Sequence, residues 1–300
     1  ERLSLGDRSA VLMDAPPDLG EDTARFARVG RWLRGRGYSA PEILAEDHGR
    51  GLLLLEDLGD AVVARLIGTE PTREAEIYAA AIDFLADLHH HEPPGFAPTL
   101  DGPALGGLTA ILSEWYLPGV GAPPDAAVDD LPALVAALHD RLGDGRVALA
   151  LRDFHSENLI WLPGRTGHAR LGLLDFQDAV TAHPAYDLVS LLQDARRDVP
   201  PEIEQAMIAR YVRVRGLDQD RFLAICSLLG AQRALRIVGV FARLARRDGK
   251  TQYLAHLPRV WAALHRNLAH PALTDLARLV QTGIPAPTPE RIARLGGRAG

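Results

Sequence analysis

The sequence predicts an α+β chain of two lobes, a small N-terminal β-sheet lobe with one helix on it and a larger, mainly helical C-terminal lobe. Three observations carry that expectation. Short apolar runs separated by Gly- and Pro-containing turns crowd the first 60 residues. Beyond them, apolar residues recur at three- and four-residue spacing. And 300 residues is large for one hydrophobic core.

From Glu1 the chain reads directly as strand. Residues 9–13 are an apolar run that Pro16 and Pro17 stop, because proline cannot donate to a sheet ladder. Residues 22–36 read as a helix with Phe26, Val29, Trp32 and Leu33 on one face, ended by Gly35 and Gly37. Two further runs, 42–46 and 52–56, flank Asp47-His-Gly-Arg-Gly51, which has the glycine content of a hairpin loop. These elements make residues 1–60 the first lobe.

The second lobe, 61–282, opens with an amphipathic helix over 72–91, marked by Ile77, Ala80, Ala81, Phe84, Leu85 and Leu88. The Pro- and Gly-rich tract 92–107 reads as a loop, and 129–142 as a helix. Short strands at 147–151 and 171–175 flank a polar segment, and the chain after Tyr186 reads as helical to about residue 280. Residues 283–300, rich in Pro, Gly and Arg, read as a loosely held tail.

Composition narrows the function. A net charge of -6 gives no basic footprint for nucleic acid. No apolar run approaches the roughly 20 residues that span a bilayer, and no signal peptide opens the chain, so no membrane is expected. The single cysteine, Cys226, rules out an intramolecular disulfide, sits in an apolar run as a buried thiol, and fits a reducing, cytoplasmic setting. No obligate protein partner is indicated. Lys250 is the one lysine, so a phosphate clamp must come from Arg, backbone N–H groups or metal.

The chemistry lies in Leu151-Arg-Asp-Phe-His-Ser-Glu-Asn-Leu159 and Leu173-Leu-Asp-Phe-Gln-Asp178. Loops rich in Asp and Asn are usually turns, and Asp153 with Asn158 alone fits that reading. With His155, Asp175 and Asp187 added, the spacing is that of a phosphoryl-transfer site. Such a site needs one carboxylate aimed at the acceptor hydroxyl, a part for Asp153. It also needs hard oxygen ligands for Mg²⁺, which Asn158 and Asp175 supply.

At these positions the sequence resembles the aminoglycoside phosphotransferase and choline kinase superfamily, with its protein-kinase-like fold. The family pattern, His-Gly-Asp-x-His-x-x-Asn, then hydrophobic-Asp-Phe/Trp-Glu/Asp, then Asp-x-x-Tyr-Asp-Leu, reads here as Leu151-Arg-Asp153-Phe-His155-Ser-Glu-Asn158, Leu-Leu-Asp175-Phe176-Gln177 and His183-Pro-Ala-Tyr186-Asp187-Leu188. The resemblance implies ATP and Mg²⁺, Asp153 as base, Asn158 and Asp175 on the metal, and His155 and Asp187 as structural support. It implies that the backbone of Glu56, Asp57 and Leu58 meets the adenine edge, although Asp57-Leu-Gly-Asp60 is also a plain turn. Met13-Asp-Ala-Pro-Pro17, Leu53-Leu-Leu-Glu-Asp-Leu-Gly-Asp60 and the run from Tyr186 to Asp198 resemble one branch most. That branch holds anomeric kinases of N-acetylmuramate and N-acetylglucosamine in bacterial cell-wall recycling. It implies a small sugar acceptor phosphorylated at the C1 hydroxyl.

Three positions depart from the family. The strand lysine has no counterpart, with Met13 or Asp14 in its place; either another group such as Arg2 or Arg8 substitutes, or a missing leader carries it. The glycine-rich loop is absent and belongs before residues 2–11, so the chain reads as starting inside the nucleotide lobe. Leu151 replaces the first histidine of the catalytic loop, while Arg152 keeps a basic residue before Asp153. For the acceptor, Trp115 and Tyr116 are candidates to stack on a sugar or to serve the core. Asp194 and Arg197, three apart on an expected helix, are candidates for sugar recognition or a solvated ion pair. An aminoglycoside phosphotransferase and a catalytically silent nucleotide-binding pseudokinase remain the alternatives.

Overall fold

A computed structural model describes residues 1–17, 22–123 and 126–297. The N-terminal sheet has four antiparallel strands, β1 (Arg2–Leu5), β2 (Arg8–Asp14), β3 (Ile43–Asp47) and β4 (Leu52–Glu56), in the order β1-β2-β4-β3. The register sets Val11 opposite Leu55 and Met13 opposite Leu53. Leu53 and Leu55 are buried while Leu52 and Leu54 are half-buried, the alternation expected of strands with one face inward. Gly51 is required at the β3–β4 turn: its φ is +71°, and a Cβ there would lie 2.1 Å from the Ala15 carbonyl oxygen.

Helix α1 (Thr23–Arg34) starts where Asp22 accepts a hydrogen bond from the Arg25 N–H. Arg31 ties it to Glu46 on β3, and Arg34 lies 3.4 Å from Glu56 at the end of β4. The expected strands at 147–151 and 171–175 form as β5 (Ala148–Ala150) and β7 (Leu171–Leu173). Their partners, β8 (Val180–Ala182) for β5 and β6 (Leu159–Trp161) for β7, have three residues each, too few to show a two-residue period.

The chain forms two compact units whose limits are not those of sheet and helix. The first joins Glu1–Pro98, Val147–Leu191 and Pro201–Arg215. It therefore includes α2 (Val63–Thr69), α3 (Glu74–Leu88) and α9 (Pro201–Arg215), besides the strands. Long-range bonds explain the grouping. Tyr38 donates its hydroxyl to Asp87 of α3 at 2.7 Å, Trp161 N–H reaches the Ala61 carbonyl at 2.8 Å, and Arg210 of α9 meets both oxygens of Asp83 at 2.7 Å.

The second unit holds Thr99–Arg146, Leu192–Pro200 and Gly216–Gly300. Its longest helix, α10 (Gln219–Asp248), is long and apolar enough by composition to cross a bilayer, against the expectation from runs alone. Most of that apolar stretch, including Leu228, Leu235 and Val238, is buried within the protein, as in a core helix. Cys226 is a buried thiol on it, in no disulfide.

Two expectations fail here. Part of the tract read as a loop is helix α4 (Gly102–Gly107), capped by Asp101 through the Ala104 N–H. The tail is ordered through α13 (Pro289–Gly296): Thr288 caps it, Leu295 is fully buried, and Arg294 donates to the Val120 carbonyl at 2.9 Å. An amphipathic turn hides in a Pro- and Gly-rich composition.

Candidate active site

The site is built outward from a buried carboxylate. Asp187 is in the first turn of helix α8 (Ala185–Leu192) and has no exposed surface. Its two oxygens accept the Leu151 N–H at 2.6 Å and the Arg152 N–H at 3.0 Å, just past the end of β5. Ser190, one turn on, donates its hydroxyl to the Arg152 carbonyl at 3.1 Å. Arg152 has φ 69°, a left-handed conformation that the Cβ of any residue but glycine disfavours. Contacts on both of its peptide groups hold it there.

The next residue is Asp153, half-buried at the loop. Its carbonyl accepts from the His155 N–H at 3.1 Å and the Asn158 side-chain amide at 3.0 Å. Phe154 turns inward and stacks on Phe84 with ring centroids 5.5 Å apart. His155 is buried, its Nε2 3.4 Å from the Asn158 amide nitrogen. Apolar and imidazole anchors thus alternate with the polar groups Asp153 and Asn158.

The second segment meets the first through Asn158. Its amide nitrogen lies 3.3 Å from Asp175 Oδ2, and its carbonyl accepts the Leu174 N–H at 2.9 Å. Asp175 has φ 55°, which Asp tolerates better than most residues. Gln177 donates to Asp175 Oδ1 at 2.7 Å. Phe176 is fully buried and stacks on Phe26 of α1 at 4.6 Å, against Gly30. Arg25 of α1 adds a bond to the Ala179 carbonyl at 3.2 Å. The sequence reading assigns no site role to Ser190 or Gln177 and takes Phe26 only as part of a helix face; Gln177 has a signal, as it directly follows Asp175-Phe176.

The donor set fits a hard divalent cation. Asp175 is exposed, and the Asn158 nitrogen, engaged on the Asp153 carbonyl, leaves the amide oxygen as the acceptor atom. One carboxylate and one amide are a normal protein share for Mg²⁺, which keeps waters and takes substrate phosphate oxygens. Among the described residues no cluster of three or more His, Cys, Asp or Glu suits a metal held by protein alone.

At the linker after β4, the side chains of Glu56 and Asp57 turn to structural work. Glu56 pairs with Arg34 and Arg165. Asp57 accepts the Gly59 N–H at 2.9 Å and binds Arg2. Leu58 comes within 3.0 Å of where a Cβ on Gly172 of β7 would sit. Arg2 is therefore committed to carboxylates and does not take the place of the strand lysine. Arg8 alternates with the Val11 and Met13 face of β2, so it lies on the opposite side of the sheet.

The acceptor candidates all belong to the second unit. Trp115 is half-buried within a π-helical turn, Leu112–Tyr116. Tyr116 is fully buried and donates its hydroxyl to the Pro285 carbonyl at 2.6 Å, so it offers no ring face to a sugar. Burial pushes that phenol far above its ordinary range. Asp194 and Arg197 do not share a helix, because α8 ends at Leu192. Asp194 is buried and closes a turn by accepting the Arg196 N–H at 2.9 Å; Arg197 is half-buried in the following bend.

Comparison with known proteins places this geometry. A profile of the phosphotransferase enzyme family matches residues 2–223. The N-acetylmuramate/N-acetylglucosamine kinase of Caulobacter vibrioides is 40% identical over 96% of this chain and 89% of its own. The kinase of that name from Pseudomonas aeruginosa is 33% identical over 92% of this chain and 82% of its own. In fold the chain is similar to a choline/ethanolamine kinase family protein from Mesorhizobium loti, with a TM-score of 0.59 at 16% identity, covering 92% of this chain and 82% of that one. It is also similar to an aminoglycoside phosphotransferase from Streptomyces rimosus solved with ADP and streptomycin, with a TM-score of 0.54 at 16% identity, covering 77% and 86%.

Proposed function

Since the chain belongs to the phosphotransferase enzyme family, and so is a kinase with an alcohol acceptor, we propose that it phosphorylates the anomeric C1 hydroxyl of N-acetylmuramate and N-acetylglucosamine, using ATP and Mg²⁺. The observation that carries this reading is the separation of roles in the loop. Asp153 makes its hydrogen bonds through backbone atoms, while the Asn158 amide nitrogen, 3.3 Å from Asp175 Oδ2, holds the side chain beside that carboxylate. One carboxylate is thus left for the acceptor and one amide–carboxylate pair for the metal. The sugar identity rests on the relatives at 40% and 33% identity.

In the reaction, the sugar O1–H gives its proton to the Asp153 carboxylate as O1 bonds to the γ-phosphorus and the bond to the ADP oxygen breaks. Asp187, through Leu151 and Arg152, fixes the backbone from which Asp153 projects. Asn158 and Asp175 would hold Mg²⁺, which neutralises phosphate charge when bound. The linker of Glu56, Asp57 and Leu58 would present backbone groups to the adenine, its side chains being tied elsewhere. Asp194, Arg197 and Trp115 are the residues to test for sugar recognition. We place the activity in the cytoplasm, in cell-wall recycling, where free amino sugars and ATP meet.

The test is ADP release with ATP and Mg²⁺ across N-acetylmuramate, N-acetylglucosamine, glucose and kanamycin. Turnover confined to the N-acetylated sugars, with an acid-labile 1-phosphate product, is the expected result. Turnover on kanamycin alone would move the protein to antibiotic modification, and nucleotide binding without turnover on any acceptor would favour a silent binding protein.

A further inference from the structure

One guanidinium joins strand β1 to two carboxylates of the linker after β4. Arg2 Nε lies 2.8 Å from Asp57 Oδ2, and its Nη2 donates to Asp57 Oδ1 at 3.0 Å. Its Nη1 and Nη2 reach the two oxygens of Asp60 at 2.8 and 2.9 Å. Arg2 is in register with Val11, and Val11 with Leu55, so the side chain starts on β1 and ends on the linker two and five residues beyond that row. Asp57 is 9% exposed at its side chain. Burial alone would raise its pKa, yet the Gly59 N–H, the Ser9 hydroxyl and Arg2 hold it below the usual carboxylate range. Gly59 turns with φ 83° to let that N–H fold back. On the other flank, Glu56 is held by Arg34 and Arg165.

We propose that Arg2, Asp57 and Asp60 form a clasp that fixes the linker against the β1–β2 hairpin and so sets the cleft for the nucleotide base, which makes Arg2 a positioning residue. The proposal rests on the nucleotide reading above. A flat base pairing with linker backbone needs that backbone held before it arrives; a loose linker must be ordered on binding, and affinity drops by that cost. Bidentate arginine pairs hold geometry that a lysine cannot. Asp153, Asn158 and Asp175 are held by Asp187, Gln177 and Phe176, none of which touches Arg2 in the bonds above, so the clasp bears on nucleotide affinity rather than on the transfer step.

The test is equilibrium binding of MgADP by calorimetry together with kcat and KM for ATP. Arg2→Ala is expected to raise both the ADP Kd and the ATP KM about five- to tenfold, with kcat within about twofold. Arg2→Lys recovers only part of the loss, for want of the fork. Asp60→Asn weakens binding about threefold, and adding it to Arg2→Ala weakens binding no further, because both act through one clasp. Asp60 is 73% exposed at its side chain, so Asp60→Asn and Arg2→Lys keep the proposal testable if Arg2→Ala folds poorly by thermal melt. An unchanged Kd in a folded Arg2→Ala or Arg2→Lys chain overturns the clasp, as does full additivity in the double variant. Absence of MgADP binding by the unaltered chain overturns the nucleotide reading first, and the clasp with it.

Discussion

Asp187 and Asp175 carry the same carboxylate into two regions of the first unit, and their surroundings divide the work. Asp187 is wholly buried, with both oxygens on backbone N–H groups at 2.6 and 3.0 Å. Asp175 is exposed, and its oxygens meet only the side-chain amides of Asn158 and Gln177 in the bonds seen, at 3.3 and 2.7 Å. The first spends its charge on holding a strained loop; the second is steered by groups that can yield to a cation. Asp187 binds the left-handed residue Arg152, and Asp175 is itself left-handed. A charge buried on backbone donors is committed to structure, and one left in reach of solvent is available to a ligand.

That contrast can be broken from either side. The largest effect is expected at Asp175: Asp175→Asn should lower kcat about 10³-fold, near 4 kcal/mol, while thermal melting moves little, since an exposed group contributes little to the fold. A marked loss of stability in that variant would erase the distinction. Asp187→Ala should do the reverse, costing about 3 kcal/mol in urea unfolding by stranding two buried N–H donors. An Asp187→Ala chain of unaltered stability would show that the loop holds itself.

A buried base sharpens the same point. His89 is enclosed, with Nδ1 2.7 Å from the Tyr211 hydroxyl, and burial, with Arg215, His183 and His90 nearby, lowers its pKa to about 3 from 6.5. Between those values the unfolded chain binds a proton that the folded chain refuses, so stability rises with pH there. Its contribution is complete above pH 6.5 and fades as pH falls toward 3. Unfolding measured at pH 7 and pH 5 should differ by about 2 kcal/mol from this group, and His89→Gln should flatten that slope. The smallest effect is expected at Gln177, where Gln177→Ala should raise the Mg²⁺ needed for half-maximal rate severalfold, about 1 kcal/mol, with kcat at saturating Mg²⁺ nearly kept. A Gln177→Ala profile that overlays the unaltered chain would remove Gln177 from the site.

The parts of this site legible in the sequence are those whose partners are local or whose spacing is fixed by chemistry. Asp153, Asn158 and Asp175 are legible as one group because their spacing is fixed, and the structure brings them together through the Asn158 amide, which meets the Asp153 carbonyl and the Asp175 carboxylate. The brace by Asp187 was expected through family resemblance and is seen as two bonds to backbone. Arg2 was misread because its partners lie 55 and 58 positions away, where no pattern of spacing reaches. For Tyr116 the sequence leaves sugar stacking and core packing open, because an aromatic next to a helix end looks the same whether its ring meets solvent or core; burial decides for the core. The tail was misread although Thr288 followed by Pro289 is a helix-start signal, a cap and a first-turn proline, ahead of the buried Leu295.

The account turns on Asp153 as the base for a sugar hydroxyl. The direct measurement is single-turnover transfer from ATP to N-acetylmuramate and N-acetylglucosamine by the unaltered chain and by Asp153→Asn, with MgADP affinity measured on both. The account predicts sugar 1-phosphate from the first, a loss of about 10³-fold in the second, and equal MgADP affinity in the two. Transfer at an undiminished rate by Asp153→Asn, or no transfer to either sugar by a chain that binds MgADP, would contradict it.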